Sequence, residues 1–265
     1  MFPDRHGYGS YAVQRDGLVG RGSALVTKIR KGSVFLGMPT HRPLEVATVI
    51  SIIETVEYCA RHDIHVEWHI PQGSAPVGHS RSALCQMFLE SDCEILFFID
   101  SDTTWTVSEF LHLRKLSEHM PIVIGAYTMK TDPPKYALAR QALDGAKVNE
   151  WGCIEVLGIG LGFAAIQRHV IVHMAAKAEK VFFSEFNLVG PYLFPYGIHF
   201  SLGSEQGITR TEEMPFLEAC HAEGFKTFIC PDVDLGHIGS KTYRHRLADA
   251  LQLDALADGL GKSAP

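Results

Sequence analysis

From Val34 onward the apolar positions fall into short blocks that alternate between continuous runs and helical spacing. "SVFLGMP" is a run closed by Pro39 and predicts a first strand. In "PLEVATVISIIETVEYCARHD" the apolar residues recur at helical spacing, which predicts a helix over 43–61. "HVEWHI" (65–70) predicts a second strand that opens into the Gly/Pro loop "PQGSAPVG", and "HSRSALCQMFLES" (79–91) a second helix. "EILFFI" (94–99) is apolar throughout, which suits a central strand covered on both faces. "TVSEFLHLRKLSEH" (106–119) predicts a helix capped by Thr106 or Ser108, and "PIVIGAY" (121–127) a fourth strand.

This β-α-β-α-β-α-β order predicts an α/β fold, a three-layer α/β/α sandwich with a mainly parallel central sheet. In such sheets ligands bind beyond the carboxyl ends of the strands. The second half is less regular. "TMKTDPPKYAL" reads as a loop, with short strands expected around 153–157 and 162–166 and a short helix near 168–178. An aromatic, Gly-rich segment spans 182–207, followed by a helix at 212–223, a short strand "KTFIC" and a charged, Leu-bearing segment at 243–257 that reads as a terminal helix. No internal repeat or linker stands out. The expected organisation is an N-terminal arm (1–32), one catalytic domain (33–243) and a C-terminal helix and tail (244–265).

Composition narrows the classes. The 265 residues suffice for one large α/β domain or two small ones, with core enough to need no disulfide. A formal charge of -6 without a Lys/Arg run argues against a nucleic-acid partner. No apolar stretch reaches the roughly 20 residues that span a bilayer, and the opening "MFPDRHGYGSYAVQRDG" has no apolar core of a secretory signal. Six cysteines are scattered without a C-x-x-C pair and read as free, mostly packed thiols of a reducing cytosol, a zinc site built from them being a minor reading. The expected location is cytoplasmic.

The candidate chemistry begins at "ILFFIDSDTT", where an apolar strand runs into Asp100 and Asp102. Two carboxylates this close repel one another unless neutralised. A divalent oxygen-loving cation, Mg²⁺ or Mn²⁺, would relieve the repulsion and attract a phosphate-bearing ligand. The plain alternative is a polar turn in which Asp102 caps the next helix. His237, in a loop between Gly236 and Gly239, is either an ordinary packed residue or the completion of a metal site. Glu212 and Glu213 open a helix, where the dipole favours acids; a carboxylate there would also serve as a general base toward a hydroxyl. Arg81 and Lys130 follow strand-end loops and would face either phosphates or solvent. Neither "GMPTHR" nor "PQGSAPVGHS" has the order of a phosphate-binding P-loop, and "LGIGLG" (157–162) is misplaced for dinucleotide binding.

Taken in order, these pieces resemble the glycosyltransferases of the GT-A fold, in particular the family-2-like branch, over roughly residues 33 to 243. "MPTHRP" looks like that family's nucleotide-contacting loop, and "HSRSALCQMFLESDCEILFFIDSD" like its arginine-bearing helix leading into the Asp-x-Asp strand. "VIGAYTMK" resembles the strand ending by the sugar donor, and "GIGLGFAAIQRHV" the glycine-rich segment before a short helix. "TEEMPFLEACHAEGFKTFICPDVDLGHIG" looks like the family's acidic helix start, Gly turn, strand and closing His-x-Gly.

The resemblance implies donor contacts from Pro39, Thr40, His41, Arg42, Arg81, Asp100, Ser101, Lys130 and Gly160. It implies metal ligation by Asp100, Asp102 and His237, Asp100 acting on the ribose or through water, and a catalytic base at Glu213 with Glu212 beside it. Glutamate stands where the family usually has aspartate, so the choice between Glu212 and Glu213 stays open. The implied reaction moves a sugar from a nucleotide-diphosphate sugar to a hydroxyl of a sugar, lipid-linked or protein acceptor, with Mn²⁺ or Mg²⁺ and with inversion. Aromatic residues of 182–207 would line the acceptor site or pack in the core. A nucleotidyltransferase and a noncatalytic nucleotide-sugar binding module are the competing readings, and association into homo-oligomers is open.

Overall fold

The computed structural model describes residues 28–40, 43–71, 75–136, 148–200 and 207–251, with backbone alone at 197–200 and 207–210. Most of the expected N-terminal arm, His41, Arg42 and the tail beyond Leu251 therefore lie outside the described residues. The first half follows the sequence pattern, apart from a short strand at Thr103–Thr104 that the sequence does not predict: β1 (Arg30–Gly37), α1 (Val46–Arg61), β2 (Val66–His69), α2 (Val77–Glu90), β3 (Cys93–Ile99), β4 (Thr103–Thr104), α3 (Val107–Leu116) and β5 (Ile122–Gly125). The second half adds β6 (Ile154–Val156), β7 (Phe163–Gln167), α4 (Arg168–Lys177), β8 (Lys180–Phe183), β9 (Leu188–Pro191), β10 (Gly197–Phe200) and β11 (Gly207–Arg210). It closes with α5 (Glu213–Ala222), β12 (Thr227–Cys230), β13 (Gly236–Ile238), β14 (Thr242–Arg244) and α6 (Leu247–Leu251).

The main sheet has seven strands in the order β2-β1-β3-β7-β5-β12-β6. β2, β1 and β3 are mutually parallel, as are β5 and β12, while β7 lies antiparallel between β3 and β5 and β6 antiparallel on β12. The sheet is thus mixed, where the sequence order predicts a mainly parallel one. The reversal comes after β5: β6 and β7 both run opposite to β5 and β12, and no helix lies between β5 and β7 among the described residues, whereas a parallel return needs a crossover of a dozen or more residues.

β3 is buried on both faces, as its unbroken apolar run predicts. Leu96 and Phe98 join a core with Leu84 and Phe88 of α2, Ile171 of α4 and Phe216 of α5. Ile95, Phe97 and Ile99 point the other way, to Ile52 of α1 and Phe110 and Leu113 of α3. Alternation along one strand therefore fills two cores and leaves the strand's end as the first position where polar groups meet solvent. Among the described residues no helix is long and apolar enough to cross a membrane.

Two further expectations change. His237 lies on β13 and not in a loop, and Thr242–Arg244 is a strand where a terminal helix was expected to begin; within the described residues the helix is α6, Leu247–Leu251. The aromatic segment is not one irregular stretch. It forms the hairpin β8–β9 and the pair β10–β11, with Phe183 and Phe194 buried and Phe182 and Tyr196 exposed.

Candidate functional site

Beyond β3 the chain turns sharply. The Asp100 amide donates to the Gly162 carbonyl at 2.9 Å, and the Thr103 amide to the Asp100 carbonyl at 3.2 Å. Asp102 does not cap α3: Thr106 does, in a capping box with Glu109, whose carboxylate accepts from the Thr106 amide at 2.6 Å. The helix-cap explanation for Asp102 therefore falls, and its side chain is free for other partners.

Those partners come from distant segments. β4, directly after Asp102, pairs antiparallel with β13 so that Thr103 faces His237 and Thr104 faces Gly236. The Ile238 amide donates to the Asp102 carbonyl at 2.8 Å. This register sets His237 Nε2 3.5 Å from Asp102 Oδ1. On the other ring nitrogen, His237 Nδ1 lies 2.8 Å from the Thr128 carbonyl oxygen. A carbonyl only accepts, so Nδ1 carries a hydrogen and Nε2 is the nitrogen left to a proton or a metal. Lys130, past the end of β5, reaches Asp102 Oδ2 at 2.5 Å. Burial alone would raise the Asp102 carboxyl, but hydrogen bonds from His237 and Lys130 outweigh it and bring its pKa down to about 2.

A second group sits beside the first. Arg81, on α2, is 1% exposed and is neither a solvated charge nor at the surface. Its Nη1 donates to Glu212 and, at 2.8 Å, to Glu213 Oε1; its Nη2 donates to Asp100 Oδ1 at 3.1 Å. The two glutamates arrive together because α5 begins there, with Pro215 in its first turn where a missing amide hydrogen breaks no helix bond. One guanidinium among three carboxylates leaves an excess of negative charge. Burial, only partly offset by Arg81, raises the pKa of Asp100 and Glu212. Burial pulls the Arg81 pKa down, but the surrounding carboxylates overcome it and hold the guanidinium charged.

The remaining expected residues surround this core. Pro39 and Thr40 are buried at the carboxyl end of β1, and the Ser101 carbonyl accepts from the Glu45 amide at 3.1 Å, tying the acidic turn to the start of α1. Gly160 and Gly162 make room for a side chain that the sequence pattern did not single out, Tyr127. A Cβ at either glycine would come within 2.7 Å of the Tyr127 hydroxyl, and one at Gly162 within 2.5 Å of Asp100 Oδ2. The Tyr127 ring also meets His237 edge-on at 5.2 Å. Its signal was available in the sequence as a phenol at the end of a predicted strand. Tyr196 is close by on the α2 side, its hydroxyl accepting from the Gly78 amide at 3.2 Å.

Asp102, His237 and Lys130 thus converge, as do Asp100, Arg81, Glu212 and Glu213. Asp100, Asp102 and His237 do not form one tight metal-ligating trio. Among the described residues, the one gathering of three or more such groups within 4.8 Å is His65, Glu67, Asp92 and Cys93, at the start of β3.

No family model matches the chain, and no curated protein matches it. Among solved structures, A197 from STIV is similar over 78% of this chain and 86% of its own, at 19% identity and a TM-score of 0.49. GalNAc-T7 with UDP, GalNAc and Mn2+ is similar over 81% of this chain and 44% of its own, at 11% identity and a TM-score of 0.48. A glycosyltransferase involved in the glycosylation of the major capsid of PBCV-1 is similar over 53% of this chain and 62% of its own, at 11% identity and a TM-score of 0.31. All three likenesses are too distant to assign this chain's fold family or its activity.

Proposed function

We propose that this chain is a metal-dependent glycosyltransferase of GT-A-like, three-layer architecture, transferring a sugar from a nucleotide-diphosphate sugar to an acceptor hydroxyl with inversion. The observation that carries the reading is the pairing of Asp102 with His237 across β4 and β13, with Nδ1 engaged by the Thr128 carbonyl. An ionised carboxylate beside an imidazole whose other nitrogen is already engaged fits a divalent cation. Asp102 and His237 would hold Mn²⁺ or Mg²⁺ directly, with Asp100 acting through water or on the ribose. When bound, the ion would offset charge on the departing nucleotide diphosphate.

The chain's own groups supply the rest. Lys130, already against Asp102, is placed to turn its ammonium toward a phosphate. Pro39, Thr40, Ser101 and Gly160 would frame the donor at the strand ends. Glu213 is the proposed base: its side chain is 14% exposed, against 7% for Glu212, so it is the more open of the two to an acceptor. It would take the proton of the acceptor hydroxyl as that oxygen attacks the anomeric carbon. Arg81 holds both glutamates in place, and the exposed Tyr196 would shield the acceptor side from water, while Phe194 packs in the core.

The test is calorimetric titration with a panel of nucleotide diphosphates and nucleotide sugars, in Mn²⁺, Mg²⁺ and EDTA, on the wild type and Asp102→Ala. Cation-dependent binding that disappears in the variant is the expected result. Binding that ignores both the cation and Asp102, or no binding at all, overturns the reading.

A further inference from the structure

At the opposite end of β3 a different set of groups converges. His65 precedes β2, Glu67 lies on β2, Asp92 precedes β3 and Cys93 opens it. β1 runs between β2 and β3, yet its pairing with β3 shifts between Arg30 and Val34, where Gly32 takes a φ of 70°. Across this irregular stretch of β1, groups borne by β2 and β3 come together. Glu67 Oε1 lies 3.3 Å from His65 Nε2 and 3.6 Å from Cys93 Sγ. His65 Nε2 is 3.7 Å from Asp92 Oδ1, while the other Asp92 oxygen is held by Arg30 at 3.2 Å.

We infer that His65, Glu67, Asp92 and Cys93 form a four-ligand site for a borderline-soft divalent cation, Zn²⁺ by its chemistry. Zinc bonds of about 2.0–2.3 Å in tetrahedral geometry set ligand-to-ligand edges of about 3.3–3.8 Å. Three of the six ligand pairs, at 3.3, 3.6 and 3.7 Å, fall within that range, and all four ligand atoms lie within 4.8 Å of one another. One thiolate and one imidazole favour zinc over Mg²⁺ or Mn²⁺, which prefer oxygen throughout. Cys93 is fully buried and closes the site from within, whereas the His65, Glu67 and Asp92 side chains are 30–33% exposed and leave a way in from solvent. Four protein ligands with no open position make the site structural, a tie between edge strand β2 and central strand β3 across β1. β3 is seven residues long, so at about 3.3 Å per residue the site stands roughly 20 Å from Asp102 and is independent of the proposed transfer reaction.

The experiment strips the full chain with EDTA and titrates it with Co²⁺ as a spectroscopic probe, followed by Zn²⁺. One equivalent of Co²⁺ should give a sulfur-to-cobalt charge-transfer band and the strong visible bands of a tetrahedral site, both displaced by Zn²⁺. Asp102→Ala should keep these bands. Cys93→Ser should lose the sulfur band, and His65→Ala and Glu67→Gln should weaken Co²⁺ binding at least about tenfold. Because Cys93 is buried and its replacement can unfold the chain, far-UV circular dichroism is read alongside, and the partly exposed His65 and Glu67 decide the matter if Cys93→Ser is unfolded. Absence of the bands in folded wild type, their survival in folded Cys93→Ser, unchanged affinity in His65→Ala and Glu67→Gln, or their loss in Asp102→Ala each overturns the site.

Discussion

Arg81 is the residue on which most of the candidate site's charge depends, because its single guanidinium serves Asp100, Glu212 and Glu213. Replacing it removes the shared partner of three carboxylates at once. Arg81→Met is expected to cost about 3–5 kcal/mol in urea unfolding, the range for removing one partner of a buried ion pair. Arg81→Lys should recover little of this, since an ammonium lacks the planar fork that reaches three acceptors. A loss below about 1 kcal/mol for Arg81→Met would place it among weak surface pairs. This role was not legible beforehand. The sequence marks Arg81 as a charge after a strand-end loop, but 131 residues separate it from Glu212, and nothing in local spacing joins them.

Among the elements, the short sheet β14-β13-β4 does the positioning. Its strands are two or three residues long and have little stability of their own. Gly236 lets β13 and β4 approach: a Cβ there would stand 2.3 Å from Thr104 Oγ1 and 2.8 Å from the Thr242 methyl. Gly236→Ala is therefore expected to part these strands, move His237 from Asp102 and weaken cation-dependent nucleotide binding at least about tenfold, a loss of roughly 1.4 kcal/mol. The seven-stranded sheet lies elsewhere, so the far-UV spectrum should stay near that of the wild type. Unchanged calorimetric binding would mean that His237 does not act at the site. The Gly-His-Ile-Gly pattern pointed to a tight approach around His237, but its strand and register depend on a partner more than a hundred residues away.

For the whole molecule, the site's carboxylates give stability a pH dependence of two signs. The Asp102 pKa is depressed from 3.8 to about 2, so its contribution is complete above 3.8 and is lost as pH falls through about 2. Asp102→Asn should flatten the rise of stability with pH across that interval, as read by urea unfolding at each pH. Asp100 and Glu212 are raised, so they act in reverse and weaken the fold as pH rises above their ordinary 3.8 and 4.5. Equal slopes in wild type and Asp102→Asn would show that Asp102 has no native partner.

The amino-acid sequence by itself determined the elements of the first half, the two-faced burial of β3 and the acidic turn at its end, because hydrophobic period and chain-local breakers act over a few residues. It also placed Glu212 and Glu213 at a helix start. Tertiary structure decided the antiparallel entry of β7 between β3 and β5, the pairing of β13 with β4 and the burial of Arg81 among three acids. It likewise brought His65, Glu67, Asp92 and Cys93 together across a bulged strand. Each of these depends on register or packing between distant segments, and such contacts leave no periodic trace along the chain.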